Sequence, residues 1–448
     1  MAQFKPQEIL ERIRTNAERG GAAQADAFME VALFTEVRVR QHEVELIRQS
    51  AIQGVGLRIF RDRRIGFLYT TDIRPSVLDE LVTRTIVLSG EASPRDENKI
   101  PEETPPADLD LEIHDPAIVG LRPEQLTVIA RQAESSAFAA DKRVQQTADV
   151  RCGIQWNETY FSNTYIPFKT YRASACWLSV EAVATQGDRK RTGGFADRKR
   201  LFSDLETAEK VGTKAALRSL AKLTAAPVPS AKVPVIFEAE AAGGFLRGLF
   251  GAFNAENVLE KRSFLSGKKG TTIASPLVTI FDDGIARRGL GSRPFDGEGI
   301  QSRRTVVVDH GVLNRFLHTG ITARRMGSAT TGNASRSYDS LPAVGPTNFY
   351  IERGTQRLSK LISDVPRGLL VTDLAGFGVD VVSGEFSQQV EGTWIEGGKL
   401  TKAVEGVTVG GRLQDMLLGI DGVGTDLEFH ANVSSPSIRF KELTIGGV

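Results

Sequence analysis

The stretch Val233-Pro-Val-Ile-Phe-Glu-Ala-Glu-Ala-Ala-Gly-Gly-Phe-Leu-Arg-Gly-Leu-Phe-Gly-Ala-Phe253 decides how the rest of the chain is read. Its first five residues form a short apolar run of strand type. From there the large apolar residues Phe245, Leu249 and Phe253 recur four apart, with Leu246 and Phe250 beside them, so one face of a helix is a core stripe. Four glycines, Gly243, Gly244, Gly248 and Gly251, lie inside that helix. Each costs roughly 0.8–1 kcal/mol relative to alanine in a helix interior. The pattern therefore predicts that some other part of the chain approaches this backbone closely.

Glycine use changes sharply around this stretch. Residues 1–230 hold 12 of the 44 glycines and residues 231–448 hold 32. The shift places a boundary near Ala225-Ala-Pro-Val-Pro-Ser230, which also has linker composition. Downstream the chain reads as short strands joined by tight turns, such as Asp309-His-Gly311 and Glu396-Gly-Gly-Lys399, with one late helix at Leu413–Leu418. A glycine-rich, mostly antiparallel β domain follows, barrel-like or a curled sheet.

Upstream the reading is α+β. Helices are predicted over Pro6–Arg19, Pro75–Ser89 and Pro123–Ala140 from their apolar spacing. Period-two alternation in Glu36–Arg40, Gly54–Ile59 and Ile65–Tyr69, with a polar turn at 61–64, gives an antiparallel meander. Further strands lie within Val144–Glu158 and Ser174–Ala184. Ser203-Asp-Leu-Glu206 reads as a capping box opening a helix that runs to Leu223. Five prolines and many acids between Ser93 and Pro116 preclude regular structure. The expected division is therefore an N-terminal α+β subdomain (1–92), a Pro/acidic linker (93–117), a middle α+β subdomain (118–228) and the glycine-rich β domain (229–448).

Composition excludes several classes. Charged residues make up 25% and apolar residues 41% of 448, with a net charge of +1, so nothing draws the whole molecule to nucleic acid or membrane. No run reaches the roughly 18 apolar residues needed to span a bilayer. The first residues lack the apolar core of a signal peptide, and a cytoplasmic location is expected. Cys152 and Cys176, the two cysteines, are read as buried thiols.

Three later motifs, taken with the opening stretch, carry a resemblance over nearly the whole chain: Arg288-Gly-Leu-Gly-Ser-Arg-Pro-Phe-Asp-Gly-Glu-Gly299, Thr330-Thr-Gly-Asn-Ala334 and Gly406-Val-Thr-Val-Gly-Gly-Arg-Leu-Gln-Asp-Met416. The sequence resembles the TldD/PmbA family, proposed modulators of DNA gyrase. The resemblance implies, for the TldD side, a strand-to-helix motif H-E-x-x-x-H or H-E-x-x-x-D that holds zinc for peptide hydrolysis. Here Phe237 stands at the first ligand position, Glu238 matches the glutamate and Ala242 stands at the second ligand position. A phenyl ring and a methyl group offer zinc no lone pair. The third ligand of zinc-bearing relatives, a cysteine near the C-terminus, is missing from Asp426–Pro436. The sequence thus resembles the metal-less TldE/PmbA branch.

The remaining candidates are weighed against plainer roles. His42, His114, His310, His318 and His430 show no metal-ligand spacing; His310 and His318 could converge across a hairpin, but turn and surface positions are favoured. Glu238 and Glu240 could serve as general acid and base, although helix N-terminal carboxylates that complement the macrodipole are favoured. Asp282, Asp283, Asp296 and Glu298 offer oxygen ligands without the spacing of a calcium loop. Of these, Asp296 and Glu298, together with Asn333, are candidates to contact a peptide channel. The segment Asp188–Arg200 is the one concentrated basic patch, read as a solvated hairpin turning at Thr192-Gly-Gly.

The leading expectation is a non-catalytic subunit of a cytoplasmic TldD/TldE-type metallopeptidase acting on unfolded peptides. It would need no cofactor of its own, with zinc expected only in a zinc-bearing TldD-like paralogue as partner. A homodimer is also open, and neither membrane nor nucleic acid is expected as a partner. The alternatives are a gyrase-associated or nucleic-acid-binding protein using residues 188–200, and an independent peptidase using Glu238 with an unrecognised metal.

Overall fold

A computed structural model describes residues 5–101 and 107–447. Residues 102–106 of the proline-rich segment and the first four residues, where the signal-peptide reading falls, lie outside the described residues. In the first half the elements run α1 (Pro6–Arg19), β1 (Gln24–Arg40), β2 (Glu43–Arg61), β3 (Arg64–Thr70), α2 (Pro75–Glu91), a short α3 (Pro116–Val119), α4 (Pro123–Ala140), β4 (Val144–Asn163), β5 (Lys169–Gln186), β6 (Arg189–Lys199) and α5 (Ala208–Ala221).

Their six strands form one antiparallel sheet in the order β3-β2-β1-β4-β5-β6. The α+β segments before and after the proline-rich stretch therefore share a sheet, joined where β1 pairs with β4 from Asp26↔Asn163 to Val39↔Val150. Period-two alternation explains the layering. Ala25, Ala27 and Met29 of β1 meet Leu10, Ile13, Leu78 and Leu81 of α1 and α2. Val37 and Val39 meet Leu126, Ala130, Val211 and Ala215 of α4 and α5. Two helix pairs thus cover one face end to end. The hairpins close through two-residue turns, Gln41-His42 and Asp62-Arg63, whose residues all take positive φ, and the β1–β2 register shifts by one residue between Arg38 and Val39.

Two local expectations are corrected. Thr207, and not Ser203, opens α5: its hydroxyl accepts from the Lys210 N–H at 3.3 Å, while 202–204 is a single 3₁₀ turn. Thr192-Gly-Gly194 is not a turn but lies within β6, and the chain reverses at Gly187-Asp188. The reason is packing. A Cβ on Gly193 would lie 2.1 Å from the Ser219 backbone nitrogen, so glycine lets α5 rest on the strand.

The second half begins with β7 (Ala231–Phe237) and α6 (Ala239–Phe253). Strand Arg367–Ala375 pairs with β7, β7 with Ile438–Gly446, that strand with Lys399–Arg412, and Lys399–Arg412 with Glu385–Glu396, which returns to Arg367–Ala375. The result is a closed five-stranded barrel, antiparallel except where β7 runs parallel to Arg367–Ala375. A second sheet joins Ile280–Asp283, Arg304–Asp309, Phe349–Ile351 and Val433–Ser434. One apolar cluster runs through the barrel, α6 and this sheet. The glycine turns fall where expected, with positive φ at Gly311, Gly397 and Gly398. No helix of the described residues is long and apolar enough to cross a membrane.

The glycine face of α6 is met by the hairpin that follows strand Arg367–Ala375. A Cβ on Gly248 would lie 2.8 Å from Val379, one on Gly251 3.3 Å from Val381, and one on Gly244 only in ordinary contact, 3.5 Å from Leu374. Close approach is thus strict at Gly248 and relaxed at Gly244.

Candidate functional site

Strand β7 ends and α6 begins at one residue, Glu238. Its N–H donates to the Val371 carbonyl at 2.9 Å, completing the strand, and its own carbonyl accepts from the Ala242 N–H at 2.8 Å, starting the helix. Alternation along β7 turns Phe237 into the barrel, where it is fully buried. Its ring lies 5.0 Å from Phe440, 5.8 Å from Phe245 and 6.0 Å from Phe386, centroid to centroid. These separations are those of packed aromatic rings. Ala242, one helical turn on, is also fully buried.

Outside this plug the N-terminus of α6 borders a cleft of about 650 Å³ between the two halves of the chain. One wall carries Asp149 and Arg151 of β4, Glu181 of β5, Phe195 of β6, and Lys214 and Arg218 of α5. The other carries Glu238, Glu240, Gly243 and Arg247 with the 426–435 segment. A second cleft of about 880 Å³ shares Glu181, Lys214, Arg218, Glu238, Glu240 and Arg247 and continues along Thr372–Leu374 of the barrel rim.

Charge in the cleft is partly neutralised. The Arg218 guanidinium grips Glu240 with two hydrogen bonds of 2.8 and 2.6 Å. Lys214 Nζ sits 3.9 Å over the Phe195 ring, a cation–π contact. Glu238 is half-buried, and burial pushes its carboxyl upward against the pull of Arg218. His430 closes one end: Nδ1 lies 2.8 Å from Asp197 Oδ1 and Nε2 lies 2.9 Å from Glu428 Oε2. The bond to Asp197 raises the His430 pKa. Burial would push Asp197 up, but His430, the Glu206 N–H and Lys199 outweigh it and hold that carboxyl at about 2.

The donors do not suit zinc. Phe237 and Ala242 have no lone pairs to give, and both ring nitrogens of His430 face carboxylates. Among the described residues no three His, Cys, Asp or Glu side chains gather as a metal site.

The channel candidates lie elsewhere, in the contact between the first-half sheet and the second half. Asp296, Glu298 and Asn333 are each at most 2% exposed. Asp296 accepts the backbone N–H groups of Glu298, Ile300 and Ala334. Asn333 donates to Asp282 at 2.7 Å, and Asp282 also accepts from Thr347. Glu298 pairs with Arg58 at 3.2 Å; Arg58 reaches Asp26 at 2.5 Å, and Asp26 meets Arg336 at 2.7 Å. Burial would raise Asp26, but the two arginines outweigh it and hold its carboxyl low. His310 is exposed in its turn, whereas His318 is buried, not at the surface, and burial beside Lys269 and Arg315 lowers it to about 4.

Arg58, Asp26, Lys214, Arg218 and Asp197 were not singled out from sequence. Period-two alternation places Arg58 on the face opposite Leu57 and Ile59, which a two-layer reading assigns to solvent; the second half of the chain covers it. The basic segment 188–200 is largely engaged within the chain. Arg191 pairs with Glu405 at 2.6 Å, and Arg200 donates to the carbonyls of Ser174, Gly289 and Leu290.

Models of the PmbA/TldA metallopeptidase match in three successive parts: domain 1 over residues 25–88, the central domain over 118–223 and the C-terminal domain over 230–447. The chain is 29% identical over 448 residues to a protein called metalloprotease PmbA from Escherichia coli O157:H7, covering 98% of this chain and 96% of that one. It is 32% identical to a metalloprotease TldD homolog of Haemophilus influenzae over about half of each, 52% and 52%. A crystal structure from Thermotoga maritima, described as a proposed modulator of a DNA gyrase, shares the fold with a TM-score of 0.90 at 24% identity, covering 99% of this chain and all of that one. TldE from Thermococcus kodakarensis shares it with a TM-score of 0.89 at 21% identity, covering 98% of this chain and 100% of that one.

Proposed function

The chain belongs to the PmbA/TldD metallopeptidase family, and on that premise we propose that it is a subunit without its own zinc chemistry in a two-component peptidase for unfolded peptides. The observation that carries this reading is the plug at the strand-to-helix junction. Phe237 stands where a ligand would be needed and is fully buried among Phe245, Phe386 and Phe440. A side chain turned into an apolar barrel serves packing, and no donor takes its place.

The cleft beside the plug has the features of a peptide surface. It runs along the barrel rim at Thr372–Leu374 and carries both signs of charge at Arg247, Lys214 and Glu238. Hydrolysis is assigned to a zinc-bearing paralogue, with this chain helping to enclose the substrate.

The test is reconstitution. Each chain is purified alone and together with the zinc-bearing paralogue, and the release of fragments from an unfolded peptide is followed. Cleavage by the pair, with zinc stoichiometric to the paralogue alone, is the expected result. Zinc-dependent cleavage by this chain alone would overturn the reading. The double variant Phe237→His with Ala242→His sharpens it: two imidazoles beside Glu238 still lack a third ligand and the outer hydrogen bonds that fix them, so no hydrolysis above background is expected.

A further inference from the structure

We infer that a pocket on the second half of the chain, walled by Lys269, Arg315, His318, Ser328 and Thr331, binds a phosphate dianion, free or carried as the monoester of a small molecule. The inference does not rest on the function proposed above. The pocket has a volume of about 280 Å³ and shares no lining residue with the clefts at Glu238. Asn314, Phe316 and Ala329 complete the wall, and among the described residues no carboxylate lines it.

Three segments far apart in the chain build it through backbone bonds. The Gly270 N–H donates to the Leu313 carbonyl at 2.8 Å and the Leu313 N–H to the Thr271 carbonyl at 3.0 Å, which sets Lys269 beside Arg315. The Thr331 hydroxyl accepts from the His318 N–H at 2.7 Å and donates to the His318 carbonyl at 3.2 Å, which lays the third segment across the histidine. The Ser328 N–H is tied to the Ala323 carbonyl at 2.8 Å. Its hydroxyl meets no partner among the described residues.

The charges of the pocket are unanswered. Lys269 and Arg315 are exposed, and among the described residues neither has an ion pair. His318, only 3% exposed, has Nδ1 at 3.4 Å from Thr322 Oγ1, while Nε2 has no hydrogen-bond partner among the described residues. Burial and the two cations keep the ring neutral, with its pKa lowered to about 4. A buried ring nitrogen without a partner is uncommon, and here it stands beside two cations that also lack one. A dianion answers all three groups at once. Phosphate brings a charge of about −1.5 to −2 and three acceptor oxygens. The fork of Arg315 fits two of those oxygens, Lys269 supplies a point charge, and the Ser328 hydroxyl and the Nε2–H tautomer of His318 are further donors. A carboxylate group, with one charge and two coplanar oxygens, leaves part of this set unmet. The apolar wall at Phe316 and Ala329 suits the carbon part of an ester.

The test is calorimetric titration of the full chain, at constant ionic strength and about pH 8 where phosphate is a dianion, with inorganic phosphate, glycerol 3-phosphate and succinate. Phosphate or its ester should bind with a Kd below about 1 mM, and succinate at least about tenfold more weakly. Binding of both phosphates makes the ligand an ester; binding of the inorganic ion alone makes it free phosphate. Arg315→Gln and Lys269→Gln should each weaken binding about tenfold or more and Ser328→Ala about threefold. Without phosphate all three should melt with wild type, since none of these side chains makes a bond within the chain. Lys268→Gln, one residue outside the pocket, should leave the affinity within about twofold, because it shares the surface charge but not the site. Absence of binding by both phosphates, succinate binding as tightly as they do, or a Lys268→Gln loss equal to that of Lys269→Gln would each overturn the inference.

Discussion

Glu298 and Glu238 begin from similar sequence settings, each among small residues in the second half of the chain, and reach opposite surroundings. Glu298 is 2% exposed, paired with Arg58 and tied through it to Asp26 and Arg336. Glu238 stands at a cleft, with no hydrogen bond to its carboxylate among the described residues. The difference shows where this molecule fixes its charges and where it leaves them available. A buried carboxylate must be paired, so it becomes part of the scaffold joining the two halves. A carboxylate at a cleft need not be, and stays free to meet a ligand.

The largest expected effect attacks the buried side. Arg58→Met removes the shared cation between Asp26 and Glu298, and breaking a buried pair from one side costs about 3–5 kcal/mol. Thermal melting should fall accordingly, and a loss below about 1 kcal/mol would show that the two halves do not depend on this network.

The next effect tests how tightly the cleft side is built. Gly248→Leu forces Val379 from the face of α6 and should cost about 1–3 kcal/mol. Gly244→Ala meets only ordinary contact and should gain up to about 1 kcal/mol from helix propensity. Equal melting shifts of one sign for both would show that the close approach is not what the glycines serve.

A third measurement uses pH at the end of the cleft. His430 has a raised pKa, so its stabilisation is full below its ordinary 6.5 and fades as pH rises through the folded-state value. Asp197 is held at about 2, so its share is full above 3.8 and fades only as pH falls toward 2. His430→Gln should therefore cost most between pH 4 and pH 6, by about 1–2 kcal/mol, and little at pH 9. Denaturant unfolding of both proteins across that range checks the sign; a cost that grows toward pH 9 would reverse the assignment.

The smallest effect lies at the comparison's other pole. Glu238→Gln and Glu240→Gln should each stay within about 0.5–1 kcal/mol of wild type, since Glu238 is unpaired and the Arg218–Glu240 bridge is 28% and 40% exposed. A large loss at Glu238 would place it with Glu298 as scaffold.

Periodicity and composition were enough to identify what depends on neighbours in the chain. The helices Pro6–Arg19 and Pro123–Ala140 have the predicted bounds, the helix inside 233–253 has its core face, and the glycine turns sit where their φ requires them. The lack of ligand chemistry at Phe237 and Ala242 was equally legible, because a phenyl ring and a methyl group cannot bind zinc in any fold. Other features required contacts between distant segments. Gly193 looks like a turn residue until α5 lies against it, Arg58 looks solvent-facing until the second half covers its strand, and Asp296, Glu298 and Asn333 look available until backbone amides and Arg58 close around them. Local pattern sets which face a side chain takes. What covers that face is set by the packing of the two halves, and this decides which charges become scaffold and which remain at the cleft.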